Sequence, residues 1–179
     1  DRSVSRGLGD VYKRQVYGRA VGDSYAMVHA TELANNDAQG PVPVGDETGF
    51  SLPSDFMEWK ATCHHKHNLM KFGENFKALY KKQYLYMMYV WGHSYEFEND
   101  NNWNLMDEFC SLIGGQDDIW YATNIEIVDY MDVFDRLQFA ADLSFVYNPS
   151  AASAWLIIND THVVEVKGGT TVDLKQYDN

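Results

Sequence analysis

"YLYMMYVWGHSYEFENDNNW", residues 84–103, decides how the chain is read. An apolar and aromatic run from Tyr84 to Trp91 meets Gly92, His93 and Ser94, and a polar loop carrying Glu96 follows. A continuous apolar run bounded by turn residues suits a strand buried on both faces. In parallel α/β folds, catalytic side chains sit where such strands end and loops begin. The run is therefore expected to stop at Gly92 so that His93 faces a ligand.

The flanking segments support an alternation of strands and helices. Ahead of the run, "KHNLMKFGENFKALYKK" sets Leu69, Phe72, Phe76 and Leu79 at helical spacing, and its basic last turn suits the helix dipole. Behind it, "NNWNLMDEFCSLIGG" offers an Asn cap, apolar Trp103, Met106, Phe109 and Ile113, and a Gly114-Gly115 stop. "VYGRAVG" over 16–22 reads as a first strand, and "LPSDFMEWKATCHH" places a second over 57–62 after a Pro-Ser-Asp turn. "DIWYATNIEI" reads as a fourth strand ending near Thr123. "VDYMDVFDRLQFAADL" follows as a helix with Tyr130, Val133, Phe134 and Leu137 on one face. The stretch after residue 22 is turn-rich and reads mostly as loop. This order predicts an α/β fold with parallel strands and right-handed crossovers.

The tail has a different rhythm. "SFVYNPS", "AWLIIND", "THVVEVKGG" and "TTVDL" are short β segments, with Asn159-Asp160 as a hairpin turn. They predict a small antiparallel appendage over 143–179.

Composition bounds the function. The chain has 179 residues, of which 45% are hydrophobic, enough for a sizeable globular core. Its aromatic share of 15% supplies faces of the kind that line sugar sites as well as cores. A net charge of −12 opposes binding to nucleic acid or to an anionic membrane surface. No apolar run reaches the roughly 20 residues of a membrane-spanning helix. Cys63 and Cys110 are far apart in sequence, which suits a reducing compartment rather than a disulfide framework.

The strand ends together define a candidate rim. Arg19 comes from the first strand, and Cys63, His64 and His65 from the second. His93, Ser94, Tyr95 and Glu96 come from the third, and Asn124 and Glu126 from the fourth. His93 suits general acid or base work, because an imidazole titrates near neutrality. His64, His65, Tyr95, Glu96, Asn124 and Glu126 are candidates to face a substrate. Arg19 is either a carboxylate anchor or a surface residue, and Glu126 equally suits the first turn of a helix. Trp91 and Tyr95 could flank a sugar, though burial suits Trp91 better. "CHHKH" is not expected to bind metal, since adjacent histidines seldom aim at one ion and no carboxylate stands at ligand spacing.

The blocks "VYGRAV", "LPSDFMEWKATCHH", "YVWGHSYEFENDNNW", "DIWYATNIEIVDY" and "LQFAADLSFVYNPSA", in that order, resemble the C-terminal part of a polysaccharide deacetylase with the NodB-homology fold. The resemblance implies a partial (β/α) barrel over 16–142 and a carbohydrate substrate bearing N-acetyl groups. It gives His93 the protonation of the leaving amine and Arg19 the orientation of the catalytic carboxylate. It also implies a divalent, zinc-type metal. The family's paired aspartates and its two metal-binding histidines are missing from these 179 residues, so no metal ligand is assigned. "RGLGDVYKRQ" within residues 1–15 resembles a translated sequencing adapter, so that segment is expected to be non-native. A truncated deacetylase, inactive by itself and prone to self-association through exposed strand edges, is the resulting expectation. Two other readings stay open: a non-catalytic carbohydrate-binding α/β module, and an unrelated α/β hydrolytic enzyme using His93 and Glu96.

Overall fold

The computed structural model describes residues 16–23, 49–79, 81 and 85–177. The adapter-like segment 1–15 and the expected loop over 24–48 lie outside the described residues. The chain divides into two compact units, Asp1–Trp120 and Tyr121–Asn179. Among the described residues the strands form small parallel and antiparallel sheets and no closed barrel. No described helix is long and apolar enough to cross a membrane. Both cysteines are free, Cys63 buried and Cys110 exposed.

In the first unit, β1 (Arg19–Asp23) pairs in parallel with β2 (Trp59–Ala61). One residue further on, β3 (Cys63–His64) pairs in parallel with β4 (Val90–Trp91). Helix α1 (Leu69–Ala78) connects β3 to β4, so this part of the chain is a β–α–β unit. The periodicity of α1 works as the sequence predicts: Leu69, Phe72 and Phe76 are buried, together with Leu79 just past its end. They form one core with Phe50, Cys63 and Phe109. Gly73 lets α3 (Asn104–Ile113) approach closely, because a Cβ there would meet Leu112 Cδ2 at 2.9 Å and Phe109 Cε2 at 3.0 Å. Helix α3 stops as expected, with Gly115 in the left-handed region at φ 67°. Its N-cap is Trp103 rather than an asparagine, with no side-chain hydrogen bond at that position.

Two strand expectations and one loop expectation need correction. Among the described residues of the apolar run, 85–91, only Val90–Trp91 join a ladder, and Tyr86 makes an isolated antiparallel bridge to Ser51. Between them, the Tyr89 N–H donates to Thr62 Oγ1 at 2.9 Å, so a side chain replaces the ladder partner there. Residues 94–99, expected as polar loop, form helix α2 (Ser94–Asn99). The stretch 119–123 pairs with no strand among the described residues, and Trp120 and Tyr121 are exposed, so it lacks the burial that its apolar composition suggested.

The second unit opens with α4 (Asn124–Asp135), which starts ahead of the expected helix and stops short of its end, Gln138–Phe139 being strand rather than helix. The four expected tail strands are present. β6 (Phe145–Tyr147) pairs antiparallel with β5 (Gln138–Phe139) and with β9 (Thr171–Asp173). β7 (Ala154–Ile158) and β8 (His162–Val166) form a hairpin. Asn159 and Asp160 turn it with φ values of 51° and 57°, the left-handed conformation that these two residue types tolerate best. Thr161 N–H closes the turn on the Ile158 carbonyl at 3.2 Å. Ala154, Leu156, Val164 and Val166 are buried, whereas Trp155, Ile157 and Val163 are exposed, so the hairpin has one inward and one outward face. Val146, Leu156, Val166 and Leu174 make the core, with Phe134 and Leu137 packed against it.

Candidate functional site

The site grows from the ends of β3 and β4. Adjacent residues of a strand point to opposite faces. However, β3 ends at His64 and the chain turns at once, with the His67 N–H donating to the His64 carbonyl at 2.9 Å. That turn brings the His64 and His65 rings to the same side, their centroids 4.4 Å apart. The His65 N–H donates to the Trp91 carbonyl at 2.9 Å, which ties the turn to the end of β4. Gly92 follows, and His93 leads into α2.

Glu96 is the hub. Its Oε2 accepts the His93 backbone N–H at 2.9 Å, as the third residue of a capping box does. The same oxygen lies 3.1 Å from His93 Nδ1, 3.2 Å from His64 Nε2 and 3.9 Å from His65 Nδ1. Lys66 Nζ stands 3.5 Å from the other oxygen and 2.8 Å from Asp100 Oδ2. Burial by itself would raise the Glu96 pKa. The His93 backbone and ring, with the charges of His64 and Lys66, outweigh that and bring it down to about 2. Glu96 is thus a fixed anion and a weak base. The hydrogen bond from Lys66 to Asp100 leads the causes that raise the lysine's own pKa, against the lowering effect of burial.

The two buried imidazoles are held differently. His64 Nδ1 accepts the Lys66 backbone N–H at 3.2 Å, so a neutral His64 carries its proton on Nε2, facing Glu96. His65 is 2% exposed and stacks on Phe97 with centroids 4.2 Å apart. Neither of its ring nitrogens has a hydrogen-bond partner among the described residues. Buried polar atoms nearly always find one, so this ring is an exception with a reason to be sought.

Aromatic groups complete the rim. Trp91 meets the His64 ring edge-on at 4.5 Å, and the Arg19 guanidinium lies 4.4 Å from a Trp91 ring centroid. Tyr95 is exposed, with its ring 5.1 Å from that of His93. An open groove of about 620 Å3, lined by His65, Lys66, Asn68, Lys71, Glu74 and Asn102 among others, adjoins the cluster. That volume lies within the range of small-ligand clefts, about 300–1,000 Å3.

The structure therefore gathers Arg19, His64, His65, His93, Tyr95 and Glu96 in the first unit. Asn124 and Glu126 belong to the second. Asn124 is the first residue of α4, and Glu126 accepts from Thr123 N–H and Oγ1, both at 2.7 Å, as its capping partner. Lys66, Asp100 and Gly92 are site residues that spacing did not mark. The Glu96 role had a local signal, a glutamate three residues after a helix-starting position.

His64, His65 and Glu96 each offer one ligand atom, and these three atoms lie within 4.8 Å of one another. Two imidazoles and a carboxylate are donors suited to zinc-type ions, and the orphaned His65 ring fits the same demand. No family model, curated protein or solved structure matches the chain.

Proposed function

We propose that this chain carries the proton-donor side of a carbohydrate N-deacetylase site, built on the rim of a partial β/α barrel. The observation that carries the reading is His93, half-exposed directly after β4, with Nδ1 3.1 Å from a carboxylate held ionised. Glu96 fixes the ring through Nδ1 at 3.1 Å, leaving Nε2 to deliver a proton outward. In amide hydrolysis water adds to the acetyl carbon and gives up a proton to solvent, the C–N bond breaks, the departing sugar amine takes the proton from His93, and the acetyl group leaves as acetate. Trp91 and Tyr95 offer faces for the sugar ring, and Arg19 stacks on Trp91. Bound divalent metal, with His64, His65 and Glu96 as its ligands, would supply an acidified water.

Glu96 is too weak a base to take the proton from water, so it positions His93 rather than sharing the acid–base cycle. The test is acetate release from N-acetylglucosamine oligomers by this chain and by its His93→Ala variant. Release that falls at least about a hundredfold in a variant with unchanged circular dichroism supports the reading. Undiminished release removes His93 from the chemistry. Saturable sugar binding with no release by either protein favours a carbohydrate-binding module instead.

A further inference from the structure

The geometry points to a divalent transition-metal site, of zinc type, made by His64 Nε2, His65 Nδ1 and Glu96 Oε2. His64 and His65 belong to "CHHKH", which was not expected to bind metal, and the turn after β3 removes the objection that adjacent histidines diverge.

Distance supports it first. Around a tetrahedral zinc with bonds of about 2.0–2.2 Å, neighbouring ligand atoms stand about 3.3–3.6 Å apart. His64 Nε2 and Glu96 Oε2 are 3.2 Å apart, and His65 Nδ1 and Glu96 Oε2 are 3.9 Å apart. Shifts of a few tenths of an ångström convert these two separations into coordination geometry, and the third pair, the two histidine nitrogens, lies within 4.8 Å, so closing the set takes a movement of up to about an ångström. Three protein ligands leave a fourth position open, as in sites where a metal binds water or substrate.

His65 supports it independently. Its ring is almost wholly buried, with Nδ1 3.9 Å from Glu96 Oε2, and neither nitrogen is hydrogen-bonded among the described residues. Gly92 leaves room for the ring, because a Cβ there would overlap His65 Nδ1. A metal bond at Nδ1 satisfies one of the two orphan atoms.

The surroundings are consistent with a ligating carboxylate. The His93 backbone N–H and Nδ1 hold Glu96 from outside, and outer hydrogen bonds of this kind fix the aim of a metal-bound carboxylate. Two groups work against the site. Lys66 Nζ, 3.5 Å from Glu96 Oε1, competes for that carboxylate, although Asp100 draws the ammonium away at 2.8 Å. Metal at His64 Nε2 moves the ring proton to Nδ1 and gives up the 3.2 Å bond from the Lys66 amide. Two buried nitrogens and an anion gained by the metal outweigh one long hydrogen bond.

This inference deepens the hydrolase reading and rests on its site, but the three ligands hold a metal whether or not any sugar is turned over, so metal binding and acetate release fail separately. The experiment is a titration of the purified, metal-free chain with Co2+, followed by visible absorption, then displacement by Zn2+. One equivalent bound with the intense bands of a tetrahedral site is expected. Glu96→Gln and His65→Ala should each weaken binding at least about tenfold, and His67→Ala should leave it unchanged. Should His65→Ala fail to fold, as circular dichroism would show, the Glu96→Gln comparison decides. Absence of saturable binding by the folded chain, or binding that Glu96→Gln leaves intact, overturns the site.

Discussion

A methyl group on Gly92 would overlap the ring of His65. The glycine ends the aromatic run because the buried imidazole needs its space, which is a packing reason rather than a need for an unusual backbone angle. Gly92→Ala is expected to destabilise the first unit by about 1–3 kcal/mol, the range for inserting a methyl into a filled core. Urea unfolding monitored by tryptophan fluorescence measures it. A variant as stable as wild type would mean that the His65 ring yields easily.

Phe76 joins α1 to Phe50, with centroids 5.3 Å apart, and is buried in the core beneath the site. Phe76→Ala should cost about 3–5 kcal/mol, the usual loss for a truncated core phenylalanine. Because typical domain stabilities are about 5–15 kcal/mol, the variant should lose much of its margin and melt at a clearly lower temperature. Calorimetry checks this, and a loss below about 1 kcal/mol would contradict the core described above.

In the second unit, Asn148 is fully buried at the end of β6. Its Nδ2 donates to the carbonyls of Ala152 and Val166, both at 2.9 Å, and Oδ1 accepts the Ser150 N–H at 2.9 Å. Replacement by alanine strands the buried Val166 carbonyl, whereas the part-buried Ala152 carbonyl and Ser150 N–H can turn to water. Asn148→Ala should therefore cost about 1–3 kcal/mol. Denaturant midpoints of the two proteins test it, and equal midpoints would refute the buried-network account.

Thr123 and Glu126 cap α4, and Thr123→Ala should cost about 1 kcal/mol. The hydroxyl of Thr123, followed by its backbone N–H, holds the Glu126 pKa below its ordinary 4.5. The folded carboxylate thus releases its proton more readily than the unfolded one. Its stabilisation is complete above the ordinary value and fades as pH falls through the lowered one. Wild type should consequently lead Glu126→Gln in thermal stability near neutrality, and the gap should close in strong acid. A gap that widens on acidification would reverse the assigned direction.

Local patterns carried well from sequence to structure where one face of an element is buried. The spacing of Leu69, Phe72 and Phe76 located α1, and Asn159-Asp160 located the hairpin turn. The run from Tyr84 to Trp91 misled because apolar character reports burial, not pairing. Thr62 Oγ1 takes the Tyr89 N–H that a longer ladder would have used, and Met87 N–H goes to the Phe50 carbonyl. At the site, His93 was legible as a polar group past a strand end, whereas Arg19 opens β1 instead of ending it and Glu96 lies in α2. The His64–His65–Glu96 set was not legible, because it depends on where β3 stops and on the start of α2, and element boundaries follow tertiary contacts more than composition. Glu126 showed the reverse problem: a carboxylate that opens a helix looks alike in sequence whether it serves a cap or a ligand.

Strands β6 and β9 bracket the hairpin β7–β8, which turns on left-handed Asn159 and Asp160. Folding order in the second unit follows from this nesting. The hairpin can zip from its own turn in microseconds, and once zipped it draws the chain ends on either side together. The remaining closure spans a shortened loop, at reduced entropic cost. The conformation of two turn residues thereby sets how quickly a distant pair of strands can meet.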